Sequence, residues 1–251
     1  MMTTLVSSQD AAIEFKNVLA GYKDLMILNH LNLRIRRAAI TLLIGPNGAG
    51  KSTVLKTLFG LLKPREGQVL LEGVDIFGAT QKELLAKGIA FVPQGRNLFP
   101  QLSVYQNLEL GGITLGKKTT HERIPEVLKL FPRVQERIGS QASALSGGEQ
   151  KQLEIARALL LRPRVLLIDE PSIGLSPIVV KDVFKLLRQL VQQGTTIVMV
   201  EQNVKSALQI SDDAVALESG RCVLHRAASE LLAEPDIERL FLGGHVEKIS
   251  T

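Results

Sequence analysis

The chain has 251 residues, 45% of them apolar, enough for one large α/β domain or two small ones around a real core. Its formal charge of +5 fits a solvated basic surface facing anionic lipid or nucleotide phosphates, while two Tyr and no Trp leave too few stacking rings for a nucleic-acid partner. Cys222 is the single cysteine, which excludes an internal disulfide and fits a reducing cytosolic compartment; no His or Cys cluster has metal-site spacing.

Residues 1–11 read as a flexible N-terminus without a leader pattern. No window approaches about 18 uninterrupted apolar residues, so work at a membrane would run through a partner. Ala12–Val18, Asn29–Ile35 and Ala39–Ile44 read as short strands, the first two around a turn that contains Tyr22. Tyr22 has two readings: a core or turn residue, or a ring placed to stack on a base.

Directly after the third strand comes Gly45-Pro46-Asn47-Gly48-Ala49-Gly50-Lys51-Ser52, and then Thr53 in a helix-favouring run. This is a G-x-x-x-x-G-K-S phosphate loop in its required strand-then-helix context. Its glycines let backbone N–H groups curl around a β-phosphate, the helix offers its positive end, and Lys51 adds a full charge. Ser52 supplies a hydroxyl for Mg²⁺. Which nucleotide binds, and what work its energy does, the loop alone leaves open.

A turn at Lys63–Gly67 leads to a small hairpin, Gln68–Glu72 with Val74–Ile76, and then a helix at Gln81–Lys87. Gly88–Pro93 reads as a buried strand ending in Gln94. Helical periodicity dominates 101–162, at Val104–Leu110, Glu122–Leu130 and Glu149–Leu161, with Pro125, Pro132 and Gly139 as breaks. Ser146 has N-cap chemistry. Capping does not explain Gly147 and Gly148 followed by Glu149-Gln150, whose bare N–H groups suit a second anion site.

Arg164–Ile168 is an apolar strand that ends in Asp169-Glu170. Two carboxylates there are expected at the exposed C-terminal edge, where open α/β sheets place ligands. Asp169 is suited to hold Mg²⁺, directly or through its water, and Glu170 to polarise an attacking water. After the loop Pro171–Pro177 come a helix at Ile178–Gln192 and a strand at Thr195–Val200 that ends in Glu201-Gln202. Ala214–Leu217 and Arg221–Leu224 read as a hairpin, and Ala227–Leu240 as a closing helix.

In order, Tyr22, the loop 45–52, Gln94, Leu145-Ser146-Gly147-Gly148-Glu149, Asp169-Glu170, Gly174-Leu175-Ser176-Pro177 and Glu201-Gln202 resemble the nucleotide-binding subunit of ATP-binding cassette (ABC) transporters over nearly the whole chain. Val92–Arg96, the run Ser146–Gln150, Asp169–Pro177, Val200–Asn203 and Leu240-Phe241-Leu242-Gly243-Gly244 are most similar to the branched-chain amino acid importer ATPases, the second of that importer's two ATPase subunits. Urea and amide importers share much of this pattern. A lipid or polysaccharide exporter ATPase, or a soluble non-transport ABC ATPase, is the wider alternative.

The resemblance implies an α/β fold of the P-loop NTPase (RecA-like) class, one ABC ATPase domain over 12–245. Its core sheet and N-terminal antiparallel β-subdomain would take 12–95 and 161–245, and an inserted helical subdomain 96–160. It implies that Tyr22 stacks on adenine, that Gly45–Thr53 hold ATP, and that Ser52, Asp169 and Gln94 serve Mg²⁺. Glu170 is then the general base, with Gln202 at the switch position, while Gln94 also couples to the membrane subunit. Ser146, Gly147, Gly148 and Glu149 would face the ATP of a second ABC ATPase subunit in a head-to-tail dimer, homo- or heteromeric. Further implied partners are integral membrane permease subunits and, indirectly, a solute-binding protein, with the chain on the inner face of the cell membrane. Two positions depart from the common family pattern, Glu149 for Gln and Gln202 for His, and both match the branched-chain subgroup. Gln202 can hydrogen-bond a γ-phosphate but carries no proton or charge.

Overall fold

The computed structural model describes residues 6–234. Strands β1 (Ala11–Tyr22) and β2 (Leu25–Arg36) form an antiparallel hairpin whose last pair is Tyr22 with Leu25. Both strands run farther than their sequence suggests, and Tyr22 ends a strand instead of sitting in a long turn. Gly21 makes that possible, because a Cβ there would lie 2.0 Å from the Leu25 carbonyl oxygen. Lys23, at φ 48°, supplies the left-handed step of the turn.

After β3 (Ile40–Ile44) and α1 (Lys51–Leu58), β4 (Glu66–Leu71) and β5 (Val74–Asp75) return to the hairpin and complete a four-stranded sheet, β2-β1-β4-β5. Then follow α2 (Gln81–Ala86) and β6 (Ile89–Val92). A helical layer comes next: α3 (Val104–Gly111), α4 (Lys117–Leu128), α5 (Pro132–Glu136) and α6 (Gly147–Leu159). Pro125 does not break this layer; it lies inside α4. An interior proline forfeits a backbone hydrogen bond. Here Ile124, Val127 and Leu128 are buried, and the buried Thr120 hydroxyl donates to the Gly112 carbonyl at 2.7 Å, so tertiary packing holds the helix through the defect.

The remaining elements are β7 (Val165–Asp169), α7 (Pro177–Gln192), β8 (Thr196–Val200), α8 (Val204–Leu208), β9 (Asp213–Glu218), β10 (Arg221–Ala227) and α9 (Ala228–Leu232). The expected closing helix, Ala227–Leu240, is shorter than its pattern: β10 continues to Ala227, and α9 ends at Leu232 with Ala233 in the following turn, while residues 235–244 lie outside the described residues. The second sheet has six strands in the order β10-β9-β3-β8-β7-β6, parallel except for the edge strand β10. Ile40, Leu42 and Ile44 face the helical core, whereas Leu43 faces the core shared with the antiparallel sheet. Burial on both faces explains why β3, β7 and β8 are nearly unbroken apolar runs. The C-terminal ends of these three strands meet at the crevice where such sheets bind ligands.

Candidate functional site

The loop from Gly45 to Ser52 leaves β3 and enters α1. Gly45, Gly48 and Gly50 have φ of 141°, 83° and 104°, in the region that side chains avoid. Gly45 has a second reason, since a Cβ there would lie 2.2 Å from the Leu217 carbonyl oxygen. The turn between β9 and β10 braces the loop from outside, through Gly220 N–H to the Ala49 carbonyl at 3.0 Å. Lys51 folds back across the loop, its Nζ donating to the carbonyls of Gly45 at 2.6 Å and Pro46 at 2.9 Å. Burial lowers the Lys51 pKa, against the opposing charges of Glu170 and Asp169. A half-buried cation satisfied by its own loop can exchange those carbonyls for phosphate oxygens.

Asp169 ends β7 and Glu170 follows it directly, but neither carboxylate is at an exposed edge: they are 3% and 9% exposed. Glu170 is sheltered because both side-chain amides near it donate to it. Gln94, just past β6, reaches Oε2 at 2.6 Å, and Gln202, just past β8, reaches the same oxygen at 3.0 Å. The three strand ends thus bring Gln94, Glu170 and Gln202 together, with Oε1 outside these two bonds. Glu170 also has φ 51°, a left-handed conformation rare for a non-glycine residue, held by its N–H donating to the Val200 carbonyl at 2.9 Å.

Burial pushes the Asp169 carboxyl up, a shift opposed by the Ser52 hydroxyl and reinforced by the neighbouring Glu170. Its Oδ1 is buried without a hydrogen-bond partner. A carboxylate oxygen left bare beside a hydroxyl and a phosphate loop suits a hard cation whose other ligands are phosphate oxygens and water. Among the described residues no three His, Cys, Asp or Glu side chains group as a metal cage.

Tyr22 is 46% exposed, which removes the core reading, and its ring lies beside α1 with the Lys56 Nζ 5.9 Å from the centroid. A ring face is therefore available next to the phosphate loop.

The turn at 146–149 sits apart from this cluster and packs toward α7. Ser146 caps α6 by a reciprocal box: its Oγ accepts from Glu149 N–H at 3.3 Å, and Glu149 Oε2 accepts from Ser146 N–H at 2.8 Å. Burial raises the Glu149 carboxyl, but the two Ser146 donors and the charges of Arg137 and Arg133 more than offset it and leave it below the usual range. Gly148 has a packing reason that its sequence does not show, since a Cβ would lie 2.9 Å from Val179 on α7. Glu201, to which the sequence assigns no role of its own, is also part of the site. Only 3% exposed, it accepts from Ser172 N–H and Ser172 Oγ, both at 2.7 Å, and from Gln202 N–H at 3.1 Å. Burial raises its pKa against those bonds. It fastens the segment after Glu170 to the one holding Gln202, a role that its sequence signal, a carboxylate abutting a buried strand, does not specify.

Among known proteins, the ABC transporter family profile matches residues 28–173. The chain is 40% identical over 232 residues to the high-affinity branched-chain amino acid transport ATP-binding protein BraG of Pseudomonas aeruginosa, covering 92% of this chain and 100% of that one. It is also 40% identical over 225 residues to the probable branched-chain amino acid transport ATP-binding protein LivF of Archaeoglobus fulgidus, covering 89% and 95%. Among solved structures, a nucleotide-free ATP-binding cassette from an ABC transporter superposes with a TM-score of 0.84 at 25% identity, covering 93% and 99%. A dimeric post-hydrolysis state of the cassette MJ0796 bound to ADP and Pi superposes with a TM-score of 0.77 at 28% identity, covering 86% and 98%.

Proposed function

This chain belongs to the ABC transporter family and is an ATPase of it, and from that premise we propose that it powers an importer for branched-chain amino acids. The observation that carries the catalytic part is the convergence of Gln94 and Gln202 on one oxygen of Glu170, beside Asp169 and the phosphate loop. The solute rests on the names of BraG and LivF, matched over nearly their full lengths.

In this reading Tyr22 takes the adenine ring, and the N–H groups of 45–53 with Lys51 take the β- and γ-phosphates. Water sits against Glu170 Oε1, the oxygen the two amides leave open. Glu170 accepts the proton as the water oxygen bonds to the γ-phosphorus, and the bond from that phosphorus to the bridging oxygen breaks, leaving ADP and phosphate. Gln94 and Gln202 fix the carboxylate's rotamer, and Gln202 can also donate to the γ-phosphate. Ser52 and Asp169, with Gln94 nearby, would hold Mg²⁺, which when bound neutralises charge developing on the phosphate oxygens. The bare Asp169 Oδ1 supports that assignment.

A second ABC ATPase subunit would present its own residues 146–149 to this ATP; the turn's place beside α7 and the dimeric relative support that arrangement. No helix among the described residues is long and apolar enough to cross a membrane, so permease subunits would form the pathway and hold the chain on the inner membrane face, with a solute-binding protein delivering solute. A groove between the sheet and the helical layer, about 320 Å³ and lined by Phe91, Leu110 and Ile113, lies beside Gln94's segment and suits a permease element. A division into 12–95 with 161–245 and an inserted 96–160 belongs to this reading; the position of α3–α6 between β6 and β7 supports the insertion, and residues 235–245 lie outside the described residues.

The test is ATP-dependent uptake in proteoliposomes containing the assembled transporter, with labelled leucine, isoleucine, valine and urea. Leucine-type uptake that stops without this chain supports the reading. Urea uptake alone, or ATP hydrolysis that no amino acid uptake accompanies, overturns the solute assignment.

A further inference from the structure

One residue of the segment after β6 is held from α6 at both of its backbone groups. Glu154 Oε1 accepts from the Asn97 N–H at 2.7 Å, and Arg157 Nη1 donates to the Asn97 carbonyl at 2.7 Å. Arg157 also lies over the Phe99 ring, 5.6 Å from its centroid. Inside the turn, the Asn97 amide donates to the carbonyls of Pro93 at 3.2 Å, Gln94 at 3.3 Å and Gly95 at 3.3 Å, so Asn97 sets the path of the backbone that carries Gln94. Glu154 has its own counter-charge, the Lys151 Nζ at 2.6 Å, and both side chains are about as buried as core residues, at 5% and 6% exposure.

Such a pair is costly to bury and adds little stability by itself, since an apolar pair of the same volume would serve a core as well. Its geometry instead ties α6 to the 93–97 turn. We propose that Glu154, with Lys151 as its buried counter-charge, is a positioning residue that couples the helix opened by the 146–149 turn to the placement of Gln94 on Glu170. When a second subunit engages residues 146–149, a shift of α6 is transmitted through Asn97 and alters the Gln94–Glu170 hydrogen bond. The inference rests on the reading of Glu170 as the general base.

Lys151→Met/Glu154→Leu and Lys151→Met/Glu154→Gln both remove the buried charges, but only the second keeps an oxygen for the Asn97 N–H. In the assembled ATPase–permease complex the Leu version should lose about ten-fold in kcat, the equivalent of one charged hydrogen bond, with KM for ATP unchanged. Amide exchange across 93–99 should quicken by a similar factor, and the Gln version should restore both. Adding Gln94→Ala to the Leu version should cost no more than Gln94→Ala alone, because the coupling ends at that side chain. Wild-type kcat and exchange in the Leu version overturn the proposal. Equal losses in both versions, tracking Tm, assign the pair to packing and overturn it too. Glu170→Gln, run alongside, keeps the two failures apart: if it hydrolyses ATP, the base assignment falls and this inference with it, whereas a silent Glu170→Gln beside an unaffected Leu version removes the inference alone.

Discussion

Asp169→Asn should stabilise the magnesium-free protein while ending its activity. The substitution keeps the side chain's shape and removes its charge. In the structure the Asp169 carboxylate is nearly fully buried, its Oδ1 has no partner, and Lys51 is turned away toward the Gly45 and Pro46 carbonyls. An unsatisfied buried acceptor costs about 1–3 kcal/mol, and more when charged, so neutralising it recovers on the order of 1 kcal/mol. For a chain of this size that is about 2–4 °C in Tm. The pH dependence follows from the raised folded-state pKa, caused first by burial. Below the ordinary value of 3.8 the native carboxyl is protonated and the two proteins should match; as pH rises through the raised value the native protein loses stability and the gap opens. Scanning calorimetry at pH 4 and 7.5, with chelator and then with Mg²⁺ and ATP, reads all of this. Mg²⁺ with ATP should reverse the order, because only the carboxylate gains an ion. A variant less stable than the native protein at pH 7.5 in chelator, or one hydrolysing ATP at the native rate, refutes the argument.

Glu201→Leu strands three donors, the Ser172 N–H, the Ser172 hydroxyl and the Gln202 N–H, and should cost about 2–4 kcal/mol in urea unfolding together with a fall in hydrolysis; a loss below about 1 kcal/mol contradicts the fastening role. His225 is lowered to about 4 by burial and the nearby Arg36, with a buried Nε2 that lacks a partner. Its contribution to stability is complete above its ordinary 6.5 and is lost as pH falls from there toward about 4, by at most about 1.4 kcal/mol per pH unit. His225→Phe should flatten that part of the pH–stability curve; an unchanged slope between pH 7 and 5 refutes the assignment.

The parts of the site legible in sequence are those whose chemistry is local. The phosphate loop declares itself because glycines, Lys51 and Ser52 must be adjacent, and Asp169-Glu170 because carboxylates rarely end an apolar strand. Gln94 and Gln202 lie 76 and 32 residues from Glu170, and their meeting on one oxygen follows from the strand order β8-β7-β6, which no local pattern states. The Glu201–Ser172 and Glu154–Asn97 bonds, spanning 29 and 57 residues, were hidden for the same reason. Burial of the two carboxylates is not legible locally, because their amide and hydroxyl partners come from the segments past β6 and β8 and from the start of α1. Pro125 stays inside α4 against its propensity because the burial of Ile124, Val127 and Leu128 compensates the lost hydrogen bond, and a local rule contains no such packing. Gly148 looked like an anion-site glycine alone; contact with Val179 adds a tertiary reason that sequence spacing does not carry.

Single-turnover hydrolysis by the assembled complex carrying Glu170→Gln tests most directly whether Glu170, held by Gln94 and Gln202, activates the water that cleaves ATP in this loop. Bound ATP should persist uncleaved, with nucleotide affinity at the native level and phosphate release reduced by about 10²–10⁴. Phosphate release at the native rate would contradict the account.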